Sequence, residues 1–497
     1  MSSSEARSTW DVIVVGAGGA GLSAAAEAAA LGRKVLLLEK TREPGGATSW
    51  AVGTMTATQT SLQKRAGIED SPEWHFEDLS KHNGPLDPRD NLRLRRILVD
   101  QSTDALNWLM SLGVVFVGPM PEPPHRVARM HNIVPSAKAF AQRLVRHCRG
   151  LGVELRTSVR VAGLIVEDGR VVGVECRTDD GKKRFRARQG VVLASGDFSA
   201  DRDLKAHFAK PEVVNVDAVV STSTGDGHKL ALALGASVVN GDVVRGPIMR
   251  FLPPKKETWM RKLPPSTLLA RMMALGYRFL PQRLLRPFMM GFLTTVLGPS
   301  PKLFAQGAVL VNVEGRRFCD ELDAPGYELP QQPYKIAYIV FDQAVAEQFR
   351  AWPNFISTAP GISYAYLSDY RRSRRDAYHC ENTLAKLAVS LAMPVQTLTR
   401  TIEAYNESGR GERPPIERGP FYALGPVKSY CVFADGGLKV SEAMEVLGAD
   451  DKAIPGLFAA GSVGQGGLLL EGHGHHLAWA FVSGRIAGRN AARFAPS

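Results

Sequence analysis

Trp10-Asp-Val-Ile-Val-Val15, then Gly16-Ala-Gly18-Gly-Ala-Gly21, then a run of small residues leading to Val35-Leu-Leu-Leu-Glu39: this opening decides the fold. An apolar strand runs into a glycine turn, and a small-residue helix carries the chain to a second apolar strand. Gly16 permits the tight turn, Gly18 lets backbone approach a pyrophosphate, and Gly21 lets helix and strand pack closely. The helix N-terminus offers unpaired N–H groups and a positive dipole end to phosphates. Glu39 stands 18 residues past Gly21, at the tip of the second strand, where a carboxylate accepts from ribose hydroxyls. Strand, turn, helix, strand and acid fall in register, which predicts a dinucleotide site.

The next segment, Lys40-Thr-Arg-Glu-Pro-Gly45-Gly46-Ala47-Thr48-Ser49-Trp50-Ala-Val-Gly53, is a second loop of small, hydrogen-bonding residues suited to close approach of a flat group. Further along come Val191-Val-Leu-Ala194-Ser195-Gly196, Thr224-Gly-Asp226-Gly227, Val311–Phe318, Tyr405-Asn406, Gly419–Ala423, Gly456-Leu-Phe-Ala-Ala-Gly461-Ser462 and Gly484-Arg-Ile-Ala-Gly488. In this order the chain resembles, over nearly its whole length, the FAD flavoproteins of the fumarate reductase, succinate dehydrogenase and 3-ketosteroid Δ1-dehydrogenase superfamily. The resemblance lies nearer the ketosteroid branch.

It implies an α/β fold: a Rossmann-like FAD-binding domain with a parallel sheet, interrupted by an inserted α+β cap domain for substrate. It also implies that FAD is held by Gly16, Gly18, Gly19, Ala20, Gly21, Glu39 and Lys40 on the first turn and strand. Gly45, Gly46, Ala47, Thr48 and Gly53 follow on the second loop. Val161 would meet the adenine, and Ala194, Ser195, Gly196, Asp226, Gly461, Ser462, His475 and Leu477 complete the set. Succinate dehydrogenases bind flavin covalently through a His in the second loop; residues 47–53 have none, so FAD is expected to be non-covalent.

The 497 residues are ample for two or three domains. The expected division is 1–246 and 428–497 for the two parts of the FAD domain, with the cap at 247–427. Asp168-Gly169 reads as a hairpin turn, and Arg371-Arg-Ser-Arg-Arg375 as a solvated loop with no nucleic-acid fold beside it. Five cysteines without a CxxC pair fit a reducing compartment with buried thiols, and residues 1–9 lack an apolar core for secretion. A cytoplasmic location follows. The net charge of +12 is densest at 258–313, with seven Lys/Arg and no acid. Here 268–280 and 284–293 read as apolar helices carrying arginines. They are too interrupted to span a bilayer, and serve either as a peripheral membrane surface over 261–297 or as the lining of an apolar channel.

The chemistry is expected near the end, in Leu468-Leu-Leu470-Glu471-Gly-His473-Gly474-His475-His476-Leu477. A helix starting near His475 would point its N-terminus at the flavin pyrimidine and stabilise negative charge there on reduction. The three histidines lack Cys or Asp company, and no metal is expected. The superfamily's fumarate reductases carry Arg-Leu-Gly-Gly before this helix and a second arginine after Arg-Phe-x-x-Glu. Here Glu471-Gly-His-Gly474 and Arg317-Phe-Cys-Asp-Glu321 stand instead, which disfavours a dicarboxylate. Ketosteroid dehydrogenases place a Tyr after Glu-x-x-Pro, which Tyr327 resembles; their flavin-side Tyr is absent here, leaving His473 or His476, with the Gly474 N–H, to polarise a ketone.

The favoured reaction is dehydrogenation beside a carbonyl: a base removes the α-proton and flavin N5 takes the β-hydride. Tyr327 is the first candidate base and Glu471 the second. The substrate would be a hydrophobic cyclic ketone such as a steroid, terpenoid or alicyclic ketone. Electrons would pass to an external acceptor such as a quinone, an electron-transfer protein or a dye, since no second fingerprint for NAD(P)H stands out. The alternatives are an enone or enoate reductase of the fumarate reductase type, and a non-catalytic flavin-binding redox or membrane module.

Overall fold

The computed structural model describes residues 9–178, 181–254, 262–264, 266–359 and 361–495. Residues 1–8 of the polar start, and 258–261 at the head of the basic segment, lie outside the described residues.

Along the chain, β1 (Thr9–Val15) leads through the glycine turn into α1 (Gly19–Ala30) and β2 (Val35–Leu38). Then come α2 (Pro72–Asn83), α3 (Lys138–Gly150), β3 (Glu154–Arg156) and the meander β4 (Arg160–Glu167), β5 (Arg170–Thr178) and β6 (Gly181–Leu193). The helices α4 (Thr267–Phe279) and α5 (Gln282–Val296) belong to the cap. The strand β7 (Phe421–Cys431) leads back, and β8 (Ala453–Ala459) and α6 (His475–Arg493) complete the fold.

The main sheet runs β8-β6-β1-β2-β3, with the strand Glu445–Leu447 beyond β8. β1 pairs in parallel with β2 (Val12↔Val35, Val14↔Leu37) and with β6 (Val14↔Val192), and β8 joins β6 in parallel. Both faces are covered, so its strands are continuous apolar runs: Val12, Ile13, Val14, Leu36 and Leu37 are fully buried. Asp168 and Gly169 turn β4 into β5, with Glu167 opposite Arg170.

The smaller sheet belongs to the cap. β7 pairs with Ala337–Phe341, Ile248–Phe251, Tyr378–Glu381 and Asp217–Ala218, and Val309–Asn312 lies beyond Ala337–Phe341. The expected boundary at 427 therefore falls inside a strand, and 217–218, assigned to the first domain, pairs with Tyr430 and Cys431. A composition change marks where side chains change character, whereas ladder hydrogen bonds decide where a strand ends. The Arg371–Arg375 reading also needs correcting. Arg371 and Arg372 end the helix Leu367–Ser373, and Arg374 is buried, donating to Leu252 O at 2.6 Å and to Asp376.

α6 lies directly on α1. A methyl group on Gly484 would sit 2.3 Å from Ala20 O, and one on Gly488 2.2 Å from Ala24 O. Gly484 and Gly488 thus let the last helix press onto the first.

Candidate functional site

A cleft of about 1020 Å³ opens over the first turn. Gly16 has φ +102°, and a side chain there would meet Ala194 O at 2.5 Å; a methyl on Gly21 would lie 1.8 Å from Gly16 O. Strand, turn and helix are locked together only because both side chains are absent. Gly18 caps α1 without any side-chain hydrogen bond, and its missing Cβ would face nothing nearer than 4.0 Å. That leaves an open approach to the positive helix end, the requirement for a pyrophosphate.

Glu39 is buried, and its carboxylate accepts from Ala17 N, Thr41 N and Thr41 Oγ1 at 2.8–2.9 Å. It ties the first turn to the second loop as well as lining the cleft. At the far wall Asp226 binds Lys40 Nζ at 2.8 Å and Arg160 at 2.6 Å, and Ser195 Oγ accepts from Gly227 N. Burial alone would raise Asp226, but Lys40 and Arg160 outweigh it and hold the carboxyl below its ordinary value.

Of the expected cofactor residues, Gly16, Gly18, Gly19, Ala20, Glu39, Lys40, Gly46, Ala47, Thr48, Val161, Ala194, Ser195, Gly196, Asp226, Gly461 and Ser462 line this cleft. Five do not. Gly21 sits beneath the turn, and Gly45 and Gly53 back the second loop, where side chains would strike Ser49 Oγ and Ile133. Leu477 belongs to the apolar core, and His475 turns its side chain toward other histidines. Sequence reasoning missed Gln142, Arg146 and Arg149 of α3, which also line the cleft. Their spacing of three and four residues, one helical face, was the available signal. The residues present fit FAD: the α1 terminus and Gly18 for the pyrophosphate, Glu39 and Val161 toward one nucleoside, and the second loop for the flat ring.

The second cluster forms at the start of α6. Gly474, at φ +95°, caps the helix and packs so tightly on Thr56 that a methyl would lie 2.7 Å from its backbone nitrogen. Thr56 Oγ1 donates to His473 O at 2.6 Å. Glu471 is ion-paired with Arg245, and Arg245 Nε also donates to Asp435 Oδ2 at 2.7 Å. His476 packs on Phe433 with ring centres 3.9 Å apart and ring planes inclined by 56°, its Nε2 3.8 Å from Asp435. Burial raises the Glu471 carboxyl, Asp435 and Glu122 add to this, and Arg245 and His473 oppose it. Burial pushes His476 down to about 4, so it is neutral near pH 7. His473, half-exposed, donates backbone N–H to Glu122 Oε1 at 2.8 Å and places Nδ1 2.5 Å from the same oxygen.

Tyr327 stands apart from these groups in its contacts. It begins in a short helix, Pro325–Glu328, and packs against Val213, Val216 and Cys431. Arg245, by contrast, is a central charge of the cluster that the sequence did not disclose; no motif marks it, and 226 residues separate it from Glu471.

Known proteins share the fold and the FAD-binding family. Residues 11–250 and 287–469 match the sequence model of a family described as an FAD binding domain. The chain is 28% identical to a protein named as a probable fumarate reductase of Shewanella frigidimarina, over 98% of this chain and 75% of that one. Among solved structures it resembles the open conformation of a flavocytochrome c3 fumarate reductase, with TM-score 0.72 and 27% identity, covering 98% of this chain and 78% of that one. It also resembles 3-ketosteroid-Δ4-(5α)-dehydrogenase from Rhodococcus jostii, with TM-score 0.60 and 26% identity, covering 97% of both chains.

Proposed function

Because the chain belongs to the FAD binding domain family and is an FAD-dependent oxidoreductase, we propose that it desaturates a hydrophobic cyclic ketone next to its carbonyl. The observation that carries this reading is the placement of Arg245 between Asp435 and Glu471. An arginine neutralised by two carboxylates is a poor clamp for a dicarboxylate, and Glu122 adds a third acid nearby. A neutral carbonyl meets no such repulsion.

Glu471 is then the base, ahead of Tyr327. Its burial raises its proton affinity, and Arg245 keeps it ionised and oriented. His476, neutral and braced by Phe433, and the Gly474 N–H are the groups placed to polarise the carbonyl and so acidify the α-carbon. FAD held in the cleft supplies the two-electron acceptor for the hydride lost from the neighbouring carbon. The electrons leave to an external quinone, protein or dye acceptor.

Anaerobic titration of the FAD-loaded protein tests the assignment. A saturated cyclic ketone should bleach the flavin band. Bleaching by none, with reoxidation of reduced enzyme by an enone, supports the reductase reading. Neither response supports a flavin-binding module.

The cap carries the second part of the proposal. On α4, Leu268, Met272, Leu275 and Phe279 form one stripe at i, i+4, i+7 and i+11, and Leu268 and Phe279 are 71% and 70% exposed. Arg271 and Arg278 flank the stripe and are exposed, as is Lys262. Among the described residues no helix is long and apolar enough to cross a membrane. An apolar stripe bordered by cations suits the interface of an anionic bilayer, which is also where a hydrophobic ketone partitions. Flotation with phosphatidylglycerol vesicles should recover the protein and flotation with phosphatidylcholine alone should not; equal recovery or none rejects the contact.

A further inference from the structure

Four imidazoles meet below the start of α6, next to the backbone of Glu471 but with none of their side chains assigned a role in the proposed reaction. His75 and His82 lie seven residues apart on one face of α2, a helix capped by Ser71 Oγ accepting from Trp74 N, with Pro72 in the first turn. His125 comes from the loop after Glu122, and His475 from the first turn of α6. His75 and His475 are fully buried, Glu122 is 4% exposed and His125 8%. The rings stand with centres 4.3–5.8 Å apart, too close for more than one to carry charge.

The donor atoms converge. Nε2 of His75 and Nε2 of His475 are 3.3 Å apart. Two nitrogens sharing one tetrahedral cation at zinc bond lengths are separated by about 3.3 Å. His475 Nδ1 donates to Glu471 O at 2.6 Å, which leaves the Nε2 lone pair facing inward. A backbone carbonyl on the distal nitrogen is the usual support for a metal-binding histidine. Ligand atoms of His75, His125 and His475 all lie within 4.8 Å of one another, and so do those of His82, Glu122 and His125.

Four buried atoms in this basket have no hydrogen-bond partner among the described residues: His75 Nδ1, His82 Nε2, His125 Nε2 and Glu122 Oε2. Each such atom gives up its contact with water and gains no bond in return. Other buried atoms also lack a partner, His131 Nδ1, His228 Nδ1 and Ser429 Oγ among them, but here four of them gather around converging imidazoles. Glu122 is informative because one oxygen is fixed by two donors of His473 while the other is left turned to the histidines.

We propose that His75, His125 and His475 hold one divalent cation of the zinc class, with His82 and Glu122 standing beside His125 as the next donors. A set of three imidazole nitrogens suits zinc and its borderline neighbours, and is a poor one for magnesium or calcium. The site would pin α2 to the first turn of α6, fixing the helix terminus that carries Gly474 and His476. Arg129 Nη1 donates to His125 Nδ1 at 2.8 Å, so the proton on that ring sits at Nε2. Binding there forms the metal–nitrogen bond, breaks the N–H bond and releases that proton to solvent, with the guanidinium balancing the ring left behind. The assignment is independent of the substrate reading.

Untagged, FAD-loaded protein should contain about one equivalent of zinc per chain by elemental analysis. Protein stripped by a chelator should take up one equivalent of Co2+ with the intense visible bands of tetrahedral coordination. The double substitution His75→Ala/His475→Ala should lower metal content at least tenfold. FAD absorbance and circular dichroism check that the variant is folded, and the Co2+ spectrum of the unaltered chain needs no variant at all. Unaltered protein that carries less than a tenth of an equivalent (~0.1) and shows no Co2+ bands overturns the proposal. So does a double variant that keeps its metal.

Discussion

The cofactor cleft and the start of α6 lie in one molecule but are built on opposite terms. The cleft is made of backbone. Gly16 and Gly21 are needed because a side chain would strike carbonyl oxygens at 2.5 and 1.8 Å, and the charged residues Glu39 and Asp226 largely brace the loops. The α6 region is made of side chains drawn from residues 75 to 476, held by ion pairs, tilted ring contacts and buried imidazoles. Backbone geometry tolerates few sequences; a side-chain cluster can be reassembled from many positions. The first region can therefore hold its cofactor while the second is free to change its substrate.

The largest expected effect strikes the cleft. Gly21→Val forces a branched side chain into Gly16 O and should cost about 3 kcal/mol or more, with loss of bound FAD, read by thermal melting and flavin absorbance. FAD retained at full occupancy would break the distinction drawn above.

Next is Glu471→Gln, which leaves the cleft untouched. Turnover with the ketone substrate should fall about 100-fold or more while FAD content stays the same. Loss of FAD in step with activity would show that the two regions are not separable.

A smaller effect concerns pH. Asp226 is held below its ordinary value by Lys40 and Arg160 despite its burial, so its folded form favours the charged state. Its stabilisation is complete above the unfolded carboxylate pKa of about 3.9 and is lost as pH falls through the lower folded value. Asp226→Asn should flatten that acid limb in melting curves without changing the profile above pH 5 (roughly). The smallest effect lies on the cap surface: Arg271→Glu/Arg278→Glu should weaken vesicle binding by roughly tenfold or more at low salt, on the basis of about 1 kcal/mol per basic residue.

The same contrast explains what could be read in advance. The fold, FAD and sixteen cleft residues were legible because glycine positions, strand lengths and the Glu39 spacing are local and rigidly constrained. Arg245 was invisible because its partners, Asp435 and Glu471, are distant in sequence and meet it only when β-strands Val244–Arg245 and Phe433–Ala434 pair. His475 was read as a flavin contact since it begins the right helix; its side chain instead follows the packing of α2. Arg374 looked like one of a solvated run, yet the chain leaves the helical conformation at that residue and its side chain turns inward onto Leu252 O.

The fit of Gly484 and Gly488 against Ala20 and Ala24 has a consequence for biosynthesis. The nucleotide fingerprint is synthesised well before the helix that buttresses it, Gly484 following Ala20 by 464 residues, and β8 fills its sheet position almost as late. A nascent chain therefore carries a glycine-rich turn whose rear face is bare until α6 has been made. Flavin capture waits on that helix, and chains that lack it should be ready substrates for chaperones and proteases rather than half-loaded enzymes.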